Sequence, residues 1–200
     1  MGSMAGDGAA GAVLAGGASS RMGRDKAALV VEGRSLARRA ADTLAAVCSE
    51  VVLADRGRGV VPGVRSVPDG AGRGPAAGIL GAARALPGRP LLVLGCDLPG
   101  VPGPLLRELA RRRAADLTLP RGPRGPEPLA AHYGRRALRA LEEQVGGGEL
   151  ALRALLERDD LSVEILQGEE LLRFGDPEAM FANVNTPEDL ASFLRTVDGV

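Results

Sequence analysis

Residues 9–26 read Ala9-Ala10-Gly11-Ala12-Val13-Leu14-Ala15-Gly16-Gly17-Ala18-Ser19-Ser20-Arg21-Met22-Gly23-Arg24-Asp25-Lys26, and this stretch decides the fold class. Residues 9–15 form a short apolar run that ends in Gly16-Gly17, which reads as a buried strand feeding a loop. Ligands of open α/β sheets bind outside the carboxyl ends of the strands, so the loop is expected at the ligand edge. Its glycines allow backbone N–H groups to converge on phosphate oxygens, because no Cβ blocks the approach. Arg21 and Lys26 add positive charge suited to a triphosphate, the arginine through paired hydrogen bonds. The pattern is neither G-x-x-x-x-G-K-[ST], since Ala27 follows Lys26, nor G-x-G-x-x-G. A glycine-rich surface turn is the competing reading; placement after a strand and the two cations weigh against it.

Working outward, residues 36–47 carry apolar side chains at helical spacing, with Ser35 placed to cap them. Residues 51–54 and 64–67 read as strands. Residues 75–86 predict a helix of small residues, stopped by Pro87-Gly88. Residues 90–94 are the most apolar run and predict a central strand buried on both faces. A helix at 104–114, a strand at 116–119, a Pro-, Gly- and Arg-rich surface loop at 121–128 and a strand at 129–132 follow. Helices are expected at 135–144 and 150–157, separated by Gly146-Gly147-Gly148, then strands at 162–166 and 179–184 and a closing helix at 187–197. Strands alternating with helices predict an α/β layer fold on a mostly parallel sheet. No repeat or linker divides the chain, so residues 9–198 are expected to be one domain. Residues 1–8 are expected to be a disordered tail or tag remnant.

Two hundred residues suffice to bury one substantial core. Apolar residues are 45% and charged residues 25%, which excludes a disordered chain. The only large rings are Tyr133, Phe174, Phe181 and Phe193, so no stacking platform for single-stranded nucleic acid is expected. Formal net charge is zero, so no global field draws nucleic acid or an anionic membrane, and any anion must be held locally. No apolar run approaches the ~20 residues of a membrane span, and no signal peptide is read at the start. Cys48 and Cys96 follow no zinc spacing and read as buried free thiols, consistent with the cytoplasm. His132, the only histidine, lies in an apolar strand and reads as a satisfied structural residue.

Three later segments fall at the same sheet edge. Asp69 ends a strand and Gly74-Pro75 opens a helix; alone, these are a turn residue and a helix start. Gly95-Cys96-Asp97 follows the central strand, where an acidic residue is well placed to hold Mg²⁺ beside phosphates. In Asn183-Val184-Asn185-Thr186-Pro187, Thr186 reads as a helix cap and Pro187 as the first helical residue.

Together with the loop, these segments carry a resemblance. L-A-G-G-x-S-S-R-M-G-x-D-K, over residues 14–26, resembles the opening signature of nucleotidyltransferases that activate a phosphorylated acceptor, and most resembles the molybdenum cofactor guanylyltransferases. Similarity extends over nearly the whole chain. It implies a three-layer Rossmann-like nucleotidyltransferase fold, with helices on both faces of the sheet. It implies nucleotide contacts from Leu14, Ala15, Gly16, Gly17, Lys26, Asp69, Gly78 and Asp97. Lys26, Arg21 and Asp97 would be catalytic, with Asp97 holding Mg²⁺. Asn183, Asn185 and Glu127 would lie on the acceptor side; Arg121 and Arg124 could meet the acceptor's anionic groups, although a solvated loop is the expected role of each. Leu53 and Asp55 are left outside the site.

The implied reaction joins GMP from GTP to molybdopterin, with or without its molybdenum. Other cofactor-biosynthesis proteins and acceptor molybdoenzymes would be partners. Cytidylyl transfer, or transfer to another small phosphorylated metabolite, is the alternative. The cytidylyl branch tends to carry Ala-Ala-Gly where this chain has Ala15-Gly16-Gly17, which favours GTP. A non-catalytic nucleotide-binding accessory protein is a further alternative, against which intact Lys26, Asp69 and Asp97 weigh. A dehydrogenase is disfavoured by the missing glycine fingerprint.

Overall fold

The computed structural model describes residues 8–16, 27, 29–31 and 33–198. The first strand, β1 (Ala10–Leu14), is almost wholly buried. A small hairpin of β2 (Val30–Val31) and β3 (Arg34–Ser35) turns at Gly33, whose φ of 76° suits glycine. It leads into α1 (Leu36–Ala45), which Ser35 caps by accepting from the Arg38 amide at 3.2 Å. Leu36, Ala37, Ala40, Ala41 and Leu44 make the buried stripe that helical periodicity demands. Then come β4 (Val51–Ala54), β5 (Arg65–Val67), α2 (Gly74–Ala85), β6 (Leu91–Gly95) and α3 (Gly103–Arg111).

The second half holds β7 (Leu117–Gly122), β8 (Gly125–Pro126), β9 (Ala130–Tyr133) and α4 (Arg135–Gly146). A 3-10 helix at Leu152–Glu157 precedes β10 (Val163–Leu166), and α5 (Glu169–Leu172), α6 (Pro177–Met180) and α7 (Pro187–Asp198) close the chain.

Among the described residues, the main sheet runs β10-β7-β9-β6-β1-β4-β5, with β8 paired to β7. The pairs β1–β4, β1–β6, β4–β5 and β7–β10 are parallel. Along that path β9 runs against its neighbours β6 and β7, and β8 folds back antiparallel to β7. Along β6, Leu92 and Leu94 pack with α1 and α3, while Leu91 and Val93 pack with α2 and α4. Period-two alternation thus supplies two cores, and helices cover both faces as expected.

One close crossing fixes the site's far wall. The Gly70 amide donates to the Ala77 carbonyl at 2.7 Å, pinning the turn after β5 against α2. A Cβ on Gly81 would lie 2.1 Å from the Pro68 carbonyl oxygen, closer than any side chain tolerates. The small residues of α2 are therefore what lets this turn approach.

The structure corrects several sequence expectations. Residues 179–184 are not a strand: Asp176 accepts from the Glu178 amide and Pro177 presets the backbone, so one helical turn forms instead. Residues 121–128 are not simply a loop, because β7 continues to Gly122 and folds back through β8, with Gly125 at φ 109° in the turn. The Glu127 amide then donates to the Pro120 carbonyl at 2.9 Å. The expected helix at 150–157 is a 3-10 segment, and the β2–β3 hairpin and α5 had no clear sequence signal.

Candidate active site

The carboxyl ends of β1, β4 and β6 meet where the chain leaves β1 in one direction and returns to its other side. There the Cys96 amide donates to the Leu14 carbonyl at 3.1 Å, and the Ala15 amide to the Ala54 carbonyl at 3.0 Å. A cavity of about 390 Å³ opens above them, walled by Leu14 at the end of β1, by Ala15 and Gly16 just after it, and by Asp69, Gly78 and Asp97 from the later segments. Its position matches the crevice where open α/β sheets take ligands.

Two glycines keep this cavity open. A Cβ on Gly78 would sit 3.2 Å from Leu14 Cδ2, so α2 lies tightly on β1. At Gly95 the added atom would meet Asp97 Oδ1 at 2.6 Å, displacing that carboxylate. Asp69 accepts from Arg56 Nε at 3.2 Å. Arg56 holds the left-handed φ of 64° and, with Arg73, also lines the cavity. Neither arginine was singled out from sequence, and position after a strand end or before a helix was the only signal.

Asp55 is fully buried and accepts from the Val60 amide at 2.9 Å and from the Ser66 hydroxyl. It closes a turn, which agrees with leaving it and the buried Leu53 outside the site.

A second cavity, about 310 Å³, lies beside the first and is walled by Arg124, Glu127, Phe181, Asn183 and Asp189. The Val184 amide donates to the Asp97 carbonyl at 2.9 Å, and the Gly95 amide to the Leu129 carbonyl at 2.7 Å. The Asp97 turn, which lines the first cavity, is thus tied to segments that wall the second. Burial raises the Glu127 carboxyl above its usual range, and the Asp97 charge adds to that rise; Arg124 and Arg153 oppose it. Arg124 is exposed, as a solvated loop residue would be, and its guanidinium donates to the Phe181 carbonyl at 3.1 Å on the wall of the second cavity. Arg121 instead points outward to Gln167, donating to it at 2.9 Å.

The expected residues therefore gather unevenly. Leu14, Ala15, Gly16, Asp69, Gly78 and Asp97 share the first cavity, and Glu127 and Asn183 the second. Asn185 lines neither. Its amide and that of Thr186 donate to Asp189 Oδ2, both at 2.9 Å, while Thr186 Oγ1 accepts from the Asp189 amide at 3.0 Å. This reciprocal cap starts α7. Gly17, Arg21 and Lys26 lie outside the described residues. Cys48 and Cys96 are both buried, as expected.

His132 differs from expectation, because both ring nitrogens are buried without a hydrogen-bond partner among the described residues. Those residues contain no group of three or more His, Cys, Asp or Glu able to hold a metal. The carboxylate of Asp97 in this cavity fits a hard cation held together with ligand phosphates and water. No helix among them is long and apolar enough to cross a membrane.

Comparison with known proteins agrees with this geometry. Residues 11–163 match the model of the MobA-like NTP transferase domain. A "probable molybdenum cofactor guanylyltransferase" of Pelotomaculum thermopropionicum is 35% identical over 186 residues, covering 91% of this chain and 90% of that protein. One so described in Opitutus terrae is 37% identical over 192 residues, covering 90% and 92%. The crystal structure of molybdopterin-guanine dinucleotide biosynthesis protein A from Archaeoglobus fulgidus superposes with a TM-score of 0.79 at 26% identity, covering 96% of this chain and 100% of that one.

Proposed function

The chain belongs to the MobA-like NTP transferase family, and from that premise we propose that it transfers GMP from GTP to molybdopterin, releasing pyrophosphate and forming molybdopterin guanine dinucleotide. The observation that carries this reading is the Asp97 turn, which ties the walls of the two cavities together. The carboxylate lines the first cavity, while the carbonyl holds the segment that walls the second. A donor nucleotide in one and a phosphorylated acceptor in the other would bring their phosphates together there.

The acceptor's phosphate monoester is largely dianionic near neutral pH, its second pKa being about 6. Its oxygen attacks the α-phosphorus of GTP and forms the new P–O bond. The bond from that phosphorus to the bridging oxygen breaks, and its electron pair leaves with pyrophosphate. No strong base is required, so the rate rests on alignment and charge neutralisation. In this reading the backbone of Leu14, Ala15, Gly16 and Gly17 cradles the nucleotide, Gly78 leaves it room, and Asp69 orients it. Arg21 and Lys26 neutralise the departing pyrophosphate. Glu127 and Asn183 face the acceptor, with Asn185 supporting their segment through its backbone.

Asp97 would hold Mg²⁺, which when bound offsets negative charge on the phosphate oxygens. The repulsion between Asp97 and Glu127 favours a cation between donor and acceptor sides. Partner proteins that supply molybdopterin or receive the product, and a cytoplasmic setting, belong to the same reading. Cytidylyl transfer is the runner-up, and Gly16-Gly17 after Ala15 weighs towards GTP.

The test is incubation of the purified protein with molybdopterin, Mg²⁺ and each of the four nucleoside triphosphates in turn, with products identified by mass. A dinucleotide is expected with GTP and not with CTP. A product with CTP alone would overturn the guanylyl reading, and no product with any triphosphate would point to the accessory protein.

A further inference from the structure

The strand order β6-β1-β4-β5 puts four carboxyl ends side by side beneath the donor cavity. Gly95, Leu14, Ala54 and Val67 form one row of paired residues across these ends. Asp97, Gly16, Arg56 and Asp69 each stand two residues further on, and all four line the cavity. Neighbouring strands lie about 4.8 Å apart, so the β6 and β5 ends of the row are roughly 14 Å from one another. The guanylyl reading sets the phosphates at Asp97, which leaves the base at the other end, beside Arg56 and Asp69. Three observations single out Arg56 there.

First, its backbone is held against the local preference. Arg56 has a left-handed φ of 64°, and among the described residues every other positive φ belongs to a glycine. Gly57 and Gly59, in the same turn, show the residue that this conformation ordinarily takes. A side chain costs conformational energy at such a position, and sites of this kind cluster where ligands are gripped.

Second, its guanidinium is oriented but not used up. Nε donates to Asp69 Oδ2 at 3.2 Å, and among the described residues neither Nη atom has a hydrogen-bond partner. The two side chains are 47% and 25% exposed, and an ion pair in that setting adds little to stability. A Cβ on Gly16 would lie 3.6 Å from Asp69 Oδ1 and 3.8 Å from Arg56 Cγ, so the pair closes around the backbone that follows β1. Arg73 lines the same cavity, but no hydrogen bond or ion pair among the described residues fixes its direction.

Third, the chemistry matches one base. A guanidinium held through Nε still offers a planar pair of Nη donors. Guanine presents O6 and N7 as adjacent acceptors, which is the pattern arginine pairs with most often. Adenine and cytosine carry an amino group where guanine carries O6.

We propose that Arg56 is a specificity-determining residue of the donor cavity, reading O6 and N7 of the guanine ring while Asp69 holds its guanidinium in place. The proposal rests on the guanylyl reading and adds to it the side chain that chooses the base.

The test is isothermal titration calorimetry of the full chain, in the presence of Mg²⁺, with GTP, 7-deaza-GTP, ATP or CTP. In 7-deaza-GTP a C–H group replaces N7, so one acceptor is lost and the rest of the nucleotide is kept. The parent is expected to bind GTP about tenfold or more tighter than each of the other three. R56G and R56N both accept a positive φ, so their unfolding midpoints should equal or exceed that of the parent. In both variants GTP should weaken about tenfold or more and ATP by less than about threefold, and GTP and 7-deaza-GTP should bind alike. A parent that prefers CTP to GTP would overturn the guanylyl reading and this inference with it. Where the parent prefers GTP, three results would overturn the role of Arg56 alone. They are equal binding of GTP and 7-deaza-GTP by the parent, equal weakening of GTP and ATP in the variants, and an N7 effect that survives the loss of the arginine.

Discussion

Asp97 combines two tasks, since it lines the first cavity and its carbonyl anchors Val184. Asp97→Asn keeps shape and backbone but removes charge, so pyrophosphate release should fall by about 100-fold or more while stability changes by under about 1 kcal/mol. Turnover within a few-fold of the parent would take Asp97 out of the reaction. Gly95→Ala provides the steric counterpart: its Cβ would press on Asp97 Oδ1, so activity should drop although no charge is altered. At this scale Asp69 and Asp97 were legible because an acid after a strand lands on the ligand edge. Arg56 and Arg73 were not, since cations in turns look alike until the chain is folded.

The element whose packing matters most to the site is α2, whose flank accepts the turn 68–70. Gly81→Ala should destabilise the protein by roughly 1–3 kcal/mol in urea unfolding, because the Pro68 carbonyl must retreat. Gly146→Ala, at the end of α4, meets nothing within 4 Å and should be neutral or stabilising by up to about 1 kcal/mol. An equal loss from both changes would remove the close crossing as the cause. The long amphipathic helices and the apolar strands were readable because burial imposes their period. The expected strand at 179–184 failed because a capping aspartate and a proline outweigh a short apolar run. The β7–β8 hairpin was hidden because prolines and glycines mark turns well and strand extensions poorly.

Across the whole molecule, the buried imidazole of His132 couples stability to pH. Its pKa is about 4 when folded, against 6.5 for the free side chain, so the unfolded chain binds the proton first as pH falls. Its contribution should be intact above pH 6.5 and lost progressively between 6.5 and about 4, amounting to about 3 kcal/mol. Denaturant unfolding of His132→Leu in phosphate-free buffer should lack that slope, and an unchanged slope would assign it to other groups. The layer order was legible from alternation of strands and helices, whereas the reversal of β9 was not, because direction within a sheet leaves no periodic mark. That reversal has an evolutionary consequence. The connection between β7 and β9 is a hairpin rather than a helical crossover, and it forms one lip of the second cavity through Arg124 and Glu127. Doubling the length of a flexible loop adds only about 0.6 kcal/mol of closure entropy. Insertions there can reshape what the second cavity admits while every strand beneath the first stays in register, so descendants of this fold can vary one cavity without disturbing the other.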